Sequence, residues 1–156
     1  MRAIGVFIRG AGGFLGLPIV FALLLPWVLH SRVAHVQPLG VGFWIVGVLL
    51  LLWCLRDFCV AGRNPPEPWT PPTNQMDVGL HRVSRNPTYI AMLVILCGWA
   101  IAFASPLLWV YAAAMAVGFH LRITRREEPA FAEAFGDAWT SYAQRVPRWV
   151  GRVRGA

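Results

Sequence analysis

The chain has 156 residues, a length typical of one domain, and 57% of them are apolar while only 13% are charged. Soluble domains carry about 25% charged residues, so the composition excludes an ordinary soluble domain and indicates that lipid surrounds much of the chain. The net charge of +7 comes from 14 arginines and no lysine. Because these arginines lie between and after the apolar runs, lipid headgroups are their expected partners and nucleic-acid binding is disfavoured.

Four apolar segments follow one another along the chain, at residues 11–29, 39–55, 88–104 and 106–123. Each is close to the length of about 20 residues that a helix needs to cross a bilayer. Only the turn at Ala104-Ser105-Pro106 joins the last two, which predicts a tight helical hairpin with Pro106 in the first turn of its second helix. The sequence therefore predicts an all-α, polytopic membrane protein of about four transmembrane helices, in a single domain covering residues 1–156.

The arginines predict the orientation of these helices. Two precede the first segment, one follows it, four lie in the loop at 56–87, none lies in the hairpin turn and seven lie in the C-terminal region from Arg122 to Arg154. This alternation places both termini and the loop at 56–87 in the cytoplasm, with a bacterial inner membrane as the expected location. A signal peptide is the alternative for the first segment, but no small-residue cleavage site follows it cleanly.

Most of the chain contains no convincing motif for binding a nucleotide cofactor or a metal ion. Gly10, Gly13 and Gly16 fit a glycine pattern of some dinucleotide folds, but a spanning segment follows them where a βαβ unit is required. The three cysteines form no CxxC pair, and no carboxylate or cysteine cluster matches His30 and His35. No metal site is predicted.

Polar residues at the start of the third segment need an explanation beyond anchoring. Pro87 suits the first turn of a helix, and Arg85 suits the membrane interface. The free N–H groups of that first turn can bind a carboxylate, while Asn86 offers a donor and an acceptor. Tyr89 adds a ring and a hydroxyl one turn further on. Together these groups fit a zwitterionic amino-acid moiety and a flat base.

A second polar group follows the fourth segment. His120 and Glu127 are about two helical turns apart and share a face if the helix continues, and charges so close to an apolar run need partners or a charged ligand. The segment at 127–150 is predicted to be amphipathic and to lie at the membrane surface. Its aromatic residues recur at helical spacing: Phe131, Phe135, Trp139 and Tyr142.

Two sequence blocks carry a family resemblance. GLHRVSRNPTYIA, from Gly79, and REEPAFAEAFGDAWTSYAQRVPRW, from Arg126, resemble two motifs of the isoprenylcysteine carboxyl methyltransferase family and its phospholipid methyltransferase relatives. The similarity covers roughly residues 60–150. This chain departs from the motifs at His81 and Trp139, where the family usually has Tyr, at Ala91, where it often has Gly, and at Phe131, where it has Leu.

The resemblance implies a small integral-membrane enzyme that uses S-adenosyl-L-methionine at the cytoplasmic side. Carried over by position, the implied cofactor-binding residues are Gln75, Met76, His81, Asn86, Pro87, Thr88, Tyr89, Glu127 and Glu128. The implied acceptor is a lipid or a lipid-like molecule of the isoprenylcysteine carboxylate type. The oligomeric state stays open.

Two kinds of acceptor are compatible with these residues. A carboxylate acceptor is already ionised and needs a cation to position it, for which Arg122, Arg125 or Arg126 is a candidate. An amine acceptor needs a base, and His120 or Glu128 is the candidate. Two other hypotheses remain: a sterol-reductase-like membrane oxidoreductase that uses NADPH, and a non-catalytic membrane partner.

Overall fold

The computed structural model describes residues 36–61 and 79–151, with side chains described only to Asp57 in the first range. Within these residues every regular element is helical and no strand occurs, which confirms the all-α prediction. The predicted first helix at 11–29 lies outside the described residues, as do Gln75, Met76 and most of the loop at 56–87.

Three long helices form the core of the described chain. They are α1 (Pro38–Ala61), α2 (Pro87–Ala102) and α3 (Pro106–Arg122). A 3₁₀ turn, Gly79–Arg82, precedes α2. A π-helical turn, Ile123–Glu127, continues α3 into α4 (Glu128–Phe135), and α5 (Asp137–Arg145) follows.

Proline and serine set the ends of the hairpin formed by α2 and α3. Pro87 and Pro106 each occupy the first turn of a helix, where a missing N–H costs nothing. Ser105 caps α3 by accepting a hydrogen bond from the Leu108 N–H at 3.4 Å. Ala104 takes a positive φ of 47° in the connecting turn. Because the turn is so short, α2 and α3 lie antiparallel, and the start of α2 is at the same end as the end of α3.

Helices α1 and α2 pack antiparallel through glycines. A Cβ on Gly98 would lie 2.6 Å from the Trp44 backbone nitrogen, and a Cβ on Gly47 would lie 2.8 Å from the Ile95 backbone nitrogen. Such a close approach is possible only without side chains at these positions. The other side of α2 packs on α3, where the Tyr89 and Phe119 rings are 4.7 Å apart.

Two stretches in the described residues are long and apolar enough to cross a membrane, Pro38–Asp57 and the longer Pro106–Phe135. Helix α2 has 16 residues and is shorter, but most of its side chains are buried between α1 and α3. Apolar side chains on α1 and α3 point outward, as is typical of lipid-facing helices. They include Leu39, Phe43, Leu49, Trp53, Leu107, Val110 and Val117.

The predicted amphipathic segment at 127–150 contains two short helices. Gly136, with φ of 52°, ends α4 and precedes α5. This positive φ is readily adopted by glycine and interrupts the helical path. Residues 146–151 follow α5 in a non-helical conformation.

The glycine contacts predict the effect of a single methyl group. We expect Gly98→Ala to lower the free energy of unfolding by about 1–3 kcal/mol, because the new Cβ meets backbone atoms of α1 that cannot rotate away. Gly118→Ala in α3 is the matched control, since nothing lies within 4 Å of its Cβ and alanine favours a helix. Unfolding in detergent measures both. Equal stability of the two variants would contradict the proposed packing.

Candidate functional site

The polar groups predicted to form a site gather at one end of the hairpin. The start of α2 supplies Tyr89, and the end of α3 with its π-helical turn supplies Arg122 and Glu127. The Tyr89 Oη donates a hydrogen bond to Glu127 Oε1 at 2.5 Å, and the Arg122 Nε donates to the same oxygen at 2.7 Å. Glu127 is largely buried, with 11% of its side chain exposed, whereas Arg122 is 45% exposed. This cluster joins the two sequence blocks directly.

The π-helical turn sets the direction of both glutamates. The Glu128 N–H bonds to the Ile123 carbonyl five residues earlier, instead of four as in an α-helix. Residues five apart point about 140° apart in an α-helix of 3.6 residues per turn, and the wider π-helical turn brings their directions closer together. Arg122 and Glu127 can therefore pair. The sequence prediction that Glu127 and His120 share a face assumed a continuous α-helix; in the structure Glu127 bonds Tyr89 and Arg122.

Glu128 forms a second cluster with two arginines. Arg85 Nη1 donates to Glu128 Oε1 at 3.0 Å, while Arg148 donates from Nε at 2.8 Å and from Nη2 at 2.7 Å. The hydrogen bond to Glu128 raises the pKa of the Arg148 guanidinium, so the pair stays ionised. Arg85 also lies over the Trp139 ring at 5.7 Å, and its Nε is buried without a hydrogen-bond partner.

Asn86 is held by the chain segment that follows α5. Its side-chain Nδ2 donates to the Arg148 carbonyl at 3.0 Å, and its backbone N–H donates to Ser84 Oγ at 3.1 Å. The Arg85 backbone N–H donates to the Pro147 carbonyl at 2.9 Å. One N–H of the Asn86 amide is therefore engaged in joining the two blocks, and its oxygen and second N–H are the groups left for a ligand.

The remaining residues of the first block face different neighbours. His81 lies in the 3₁₀ turn; burial lowers the pKa of its imidazole and nearby Asp57 opposes this, so the ring is neutral at pH 7. Pro87 is buried at the start of α2. The Thr88 side chain lies close to the Cys54 thiol of α1.

His120 lies beside the C-terminal segment. Its Nδ1 accepts a hydrogen bond from Trp149 Nε1 at 3.4 Å, and the two rings stack with centroids 6.4 Å apart. A neutral histidine that accepts at Nδ1 carries its proton on Nε2. Arg125 and Arg126 are both exposed on the π-helical turn.

The aromatic residues of the C-terminal segment pack on one another. The Phe131 and Trp139 rings stack at 5.2 Å, and Trp139 contacts Tyr142 at 5.7 Å. Tyr142 is buried, and its hydroxyl donates to the His81 carbonyl at 2.8 Å. The aromatic stripe therefore connects α4 and α5 to each other and to the 3₁₀ turn.

Sequence reasoning missed four residues that organise the site: Asp57, Ser84, Arg148 and Trp149. Arg148 and Trp149 belong to the second block, and an arginine at the end of that block is a signal for a carboxylate partner. Asp57 is an isolated carboxylate in an apolar stretch, which is also a signal. Among the described residues, no three His, Cys, Asp or Glu side chains are close enough to hold a metal ion.

The Glu128 cluster yields a stability prediction. We expect Glu128→Gln to lower the free energy of unfolding by about 2 kcal/mol, because Arg85, with 13% of its side chain exposed, loses its counter-charge. Glu133→Gln removes an exposed charge of α4 and should change stability little. Chemical denaturation in detergent measures both variants. A loss of similar size in the two would show that the cluster does not stabilise the fold.

The comparison with known families agrees with this geometry. A family model described as phospholipid methyltransferase matches residues 36–138, about two thirds of the chain, from the start of α1 into α5. No curated protein and no solved structure matches the chain. The match covers the first block and the beginning of the second, and it confirms the family resemblance. The chain belongs to the phospholipid methyltransferase family, which makes it a membrane methyltransferase for lipid-like substrates.

Proposed function

We propose that this protein uses S-adenosyl-L-methionine to methylate the carboxylate of a lipid-like acceptor of the isoprenylcysteine type, at the cytoplasmic face of a bacterial inner membrane. The main support is the cluster of Tyr89, Arg122 and Glu127, which brings together residues 38 positions apart in the chain. Such a cluster at the end of two apolar helices is costly to maintain without a role.

The chemistry of the side chains fits this cofactor. S-adenosyl-L-methionine carries an ammonium, a carboxylate and a purine ring, and it supplies an activated methyl group on a sulfonium. Glu127 is a largely buried carboxylate suited to the ammonium, and the start of α2 is suited to the carboxylate. The Tyr89 and Phe119 rings are 4.7 Å apart and are buried beside this cluster.

The other proposed cofactor residues divide into two groups. His81, Pro87 and Thr88 are proposed to line the site from the first block, with Gln75 and Met76 upstream of it. Asn86 offers an acceptor oxygen and one N–H, because its other N–H donates to the Arg148 carbonyl. Glu128 bonds Arg85 and Arg148, so its proposed contribution is to hold these two arginines and the chain segments that carry them.

The state of the candidate bases favours a carboxylate acceptor. An amine must lose a proton before it attacks, so a base must be available to it. Both oxygens of Glu128 accept hydrogen bonds from arginine, and the Nδ1 of His120 accepts one from Trp149. A carboxylate needs no base and requires only alignment and exclusion of water.

Arginines of the π-helical turn are suited to hold such an acceptor. Arg126 is exposed and directly precedes Glu127, and Arg122 is partly exposed beside the same glutamate. A guanidinium binds a carboxylate through paired hydrogen bonds. We propose that Arg126 and Arg122 position the acceptor. His120 is the candidate base if the acceptor is an amine.

An amine acceptor is the second candidate, and the family description favours it. The family is described as phospholipid methyltransferase. An aminophospholipid headgroup carries an amine beside an anionic phosphate, so the same arginines would bind its phosphate. The chemical nature of the methylated product distinguishes the two acceptors.

Cofactor binding is the first test. We expect purified protein to bind S-adenosylhomocysteine in calorimetry, and Glu127→Gln to weaken the Kd by about tenfold or more through loss of a charged hydrogen bond. Asn86→Ala should also weaken binding. Glu133→Gln, which changes an exposed residue of α4, should bind as the wild type does.

Two results would contradict the proposal. No binding by the wild-type protein, or equal binding by the wild type, Glu127→Gln and Asn86→Ala, would remove the proposed cofactor site. NADPH serves as a comparison ligand. Thermal stabilisation by NADPH but not by S-adenosylhomocysteine would favour a sterol-reductase-like enzyme, and stabilisation by neither would favour a non-catalytic partner.

The methylated product is the second test. With a radiolabelled methyl donor, we expect transfer to a prenylated cysteine with a free carboxylate, giving an ester whose label is released as methanol by mild alkali. Vesicles that contain phosphatidylethanolamine supply the amine acceptor, whose N-methyl product resists alkali. Alkali-stable label on the phospholipid alone would establish the second candidate and overturn the first.

A further inference from the structure

Asp57 is a buried carboxylate that the proposed reaction does not use. It lies near the end of α1, and only 2% of its side chain is exposed. A charged group removed from water at the end of an apolar helix is costly unless hydrogen bonds compensate it. Its partners therefore indicate what it does.

The 3₁₀ turn before α2 supplies one of these partners. The Leu80 backbone N–H donates to Asp57 Oδ2 at 3.2 Å, across 23 residues of chain. Arg56 Nη1 lies 3.3 Å from Oδ1, but the Arg56 side chain is 71% exposed. Among the described residues, the hydrogen bond from Leu80 therefore links the Asp57 carboxylate to another element, the 3₁₀ turn.

Gly79 permits the close approach of the turn to Asp57. Its φ is 52°, a conformation that glycine adopts readily and other residues rarely do. A Cβ at this position would collide with the Asp57 carboxylate. Glycine is required here by the backbone conformation and by the contact.

Hydrogen bonds continue from the Asp57 contact to the start of α2. The Leu80 carbonyl accepts from the Ser84 N–H at 3.1 Å, and Ser84 Oγ accepts from the Asn86 N–H at 3.1 Å. On its other side, the turn is held by the Tyr142 hydroxyl, which bonds the His81 carbonyl. The turn is therefore fixed between α1 and α5.

We propose that Asp57 is a positioning residue whose carboxylate holds the Gly79–Arg82 turn against α1 and so fixes the placement of His81 and Asn86. Its effect on ligand binding rests on the proposed function, because those two residues belong to the proposed cofactor site. Its effect on the position of the turn does not depend on the proposed function. Asp57 itself touches no proposed cofactor residue through the described hydrogen bonds; it acts through Leu80.

Three substitutions test this role. Asp57→Ala removes the acceptor, and Asp57→Asn keeps an acceptor oxygen of the same size while removing the charge. Gly79→Ala disturbs the same contact from the side of the turn. It replaces Asp57→Ala in the test if that variant fails to fold. Glu133→Ala, at an exposed site in α4, is the control.

The first readout is hydrogen exchange of the full-length protein without ligand, followed by mass spectrometry. We expect Asp57→Ala and Gly79→Ala to speed exchange in peptides covering residues 79–86 by about tenfold, because the turn loses its hydrogen bond to α1. Asp57→Asn and Glu133→Ala should leave this exchange close to that of the wild type. Unchanged exchange in Asp57→Ala and Gly79→Ala, or equal acceleration by Asp57→Asn and Asp57→Ala, would overturn the proposal.

The second readout is the affinity for S-adenosylhomocysteine. We expect Asp57→Ala to raise the Kd by about fivefold or more, with rescue by Asp57→Asn. Faster exchange with unchanged affinity would overturn the link between the turn and the ligand. If the wild-type protein does not bind, the proposed function fails, and the exchange measurement still decides whether Asp57 holds the turn.

Discussion

The ion pairs of Glu128 with Arg85 and Arg148 are the interaction on which the site depends. Arg85 precedes α2 and Arg148 follows α5, so one carboxylate joins two segments that are far apart in sequence. Without that carboxylate, two guanidinium groups would face each other at the end of apolar helices, where charge is poorly solvated. The backbone hydrogen bond from Arg85 to Pro147 and the side-chain bond from Asn86 to the Arg148 carbonyl then hold the joined segments in register.

A change of helical register gives the two adjacent glutamates different partners. In an α-helix, neighbouring residues differ by about 100° in direction, and Arg122 would not lie above Glu127. The π-helical turn at Ile123–Glu127 lets Glu127 reach Tyr89 and Arg122 while Glu128 reaches the two other arginines. Thr124 donates to the His120 carbonyl at 2.8 Å and so satisfies a backbone acceptor where the register changes. One helix thus serves as a spanning element and as a support for two charge clusters.

The sequence predicts features that depend on local chemistry and misses those that depend on long-range contacts. Pro87 and Pro106 mark helix starts within one residue, because proline restricts its own backbone wherever it stands. Pro129 signals a break in the α-helical hydrogen bonding near the π-helical turn, but the ion pairs of the two glutamates form only in the folded chain. The ion pair between Arg148 and Glu128 and the burial of Asp57 likewise cannot be predicted from local sequence, because they depend on which segments meet in the folded chain. The cofactor residues come from resemblance, and their roles remain proposals.

The arrangement of apolar surface and charge bears on the choice of acceptor. The outward faces of α1 and α3 are apolar up to the point where the charged residues begin, so a substrate with an apolar tail can lie along them with its reactive head at the site. At that end, Glu127 and Glu128 form ion pairs with Arg85, Arg122 and Arg148. Arg125 and Arg126 are exposed on the adjoining π-helical turn. The positive excess attracts an anionic head and opposes a lone ammonium. A carboxylate gains from this field directly, whereas an aminophospholipid gains only through its phosphate, so the electrostatics support the proposed carboxylate acceptor independently of the engaged bases.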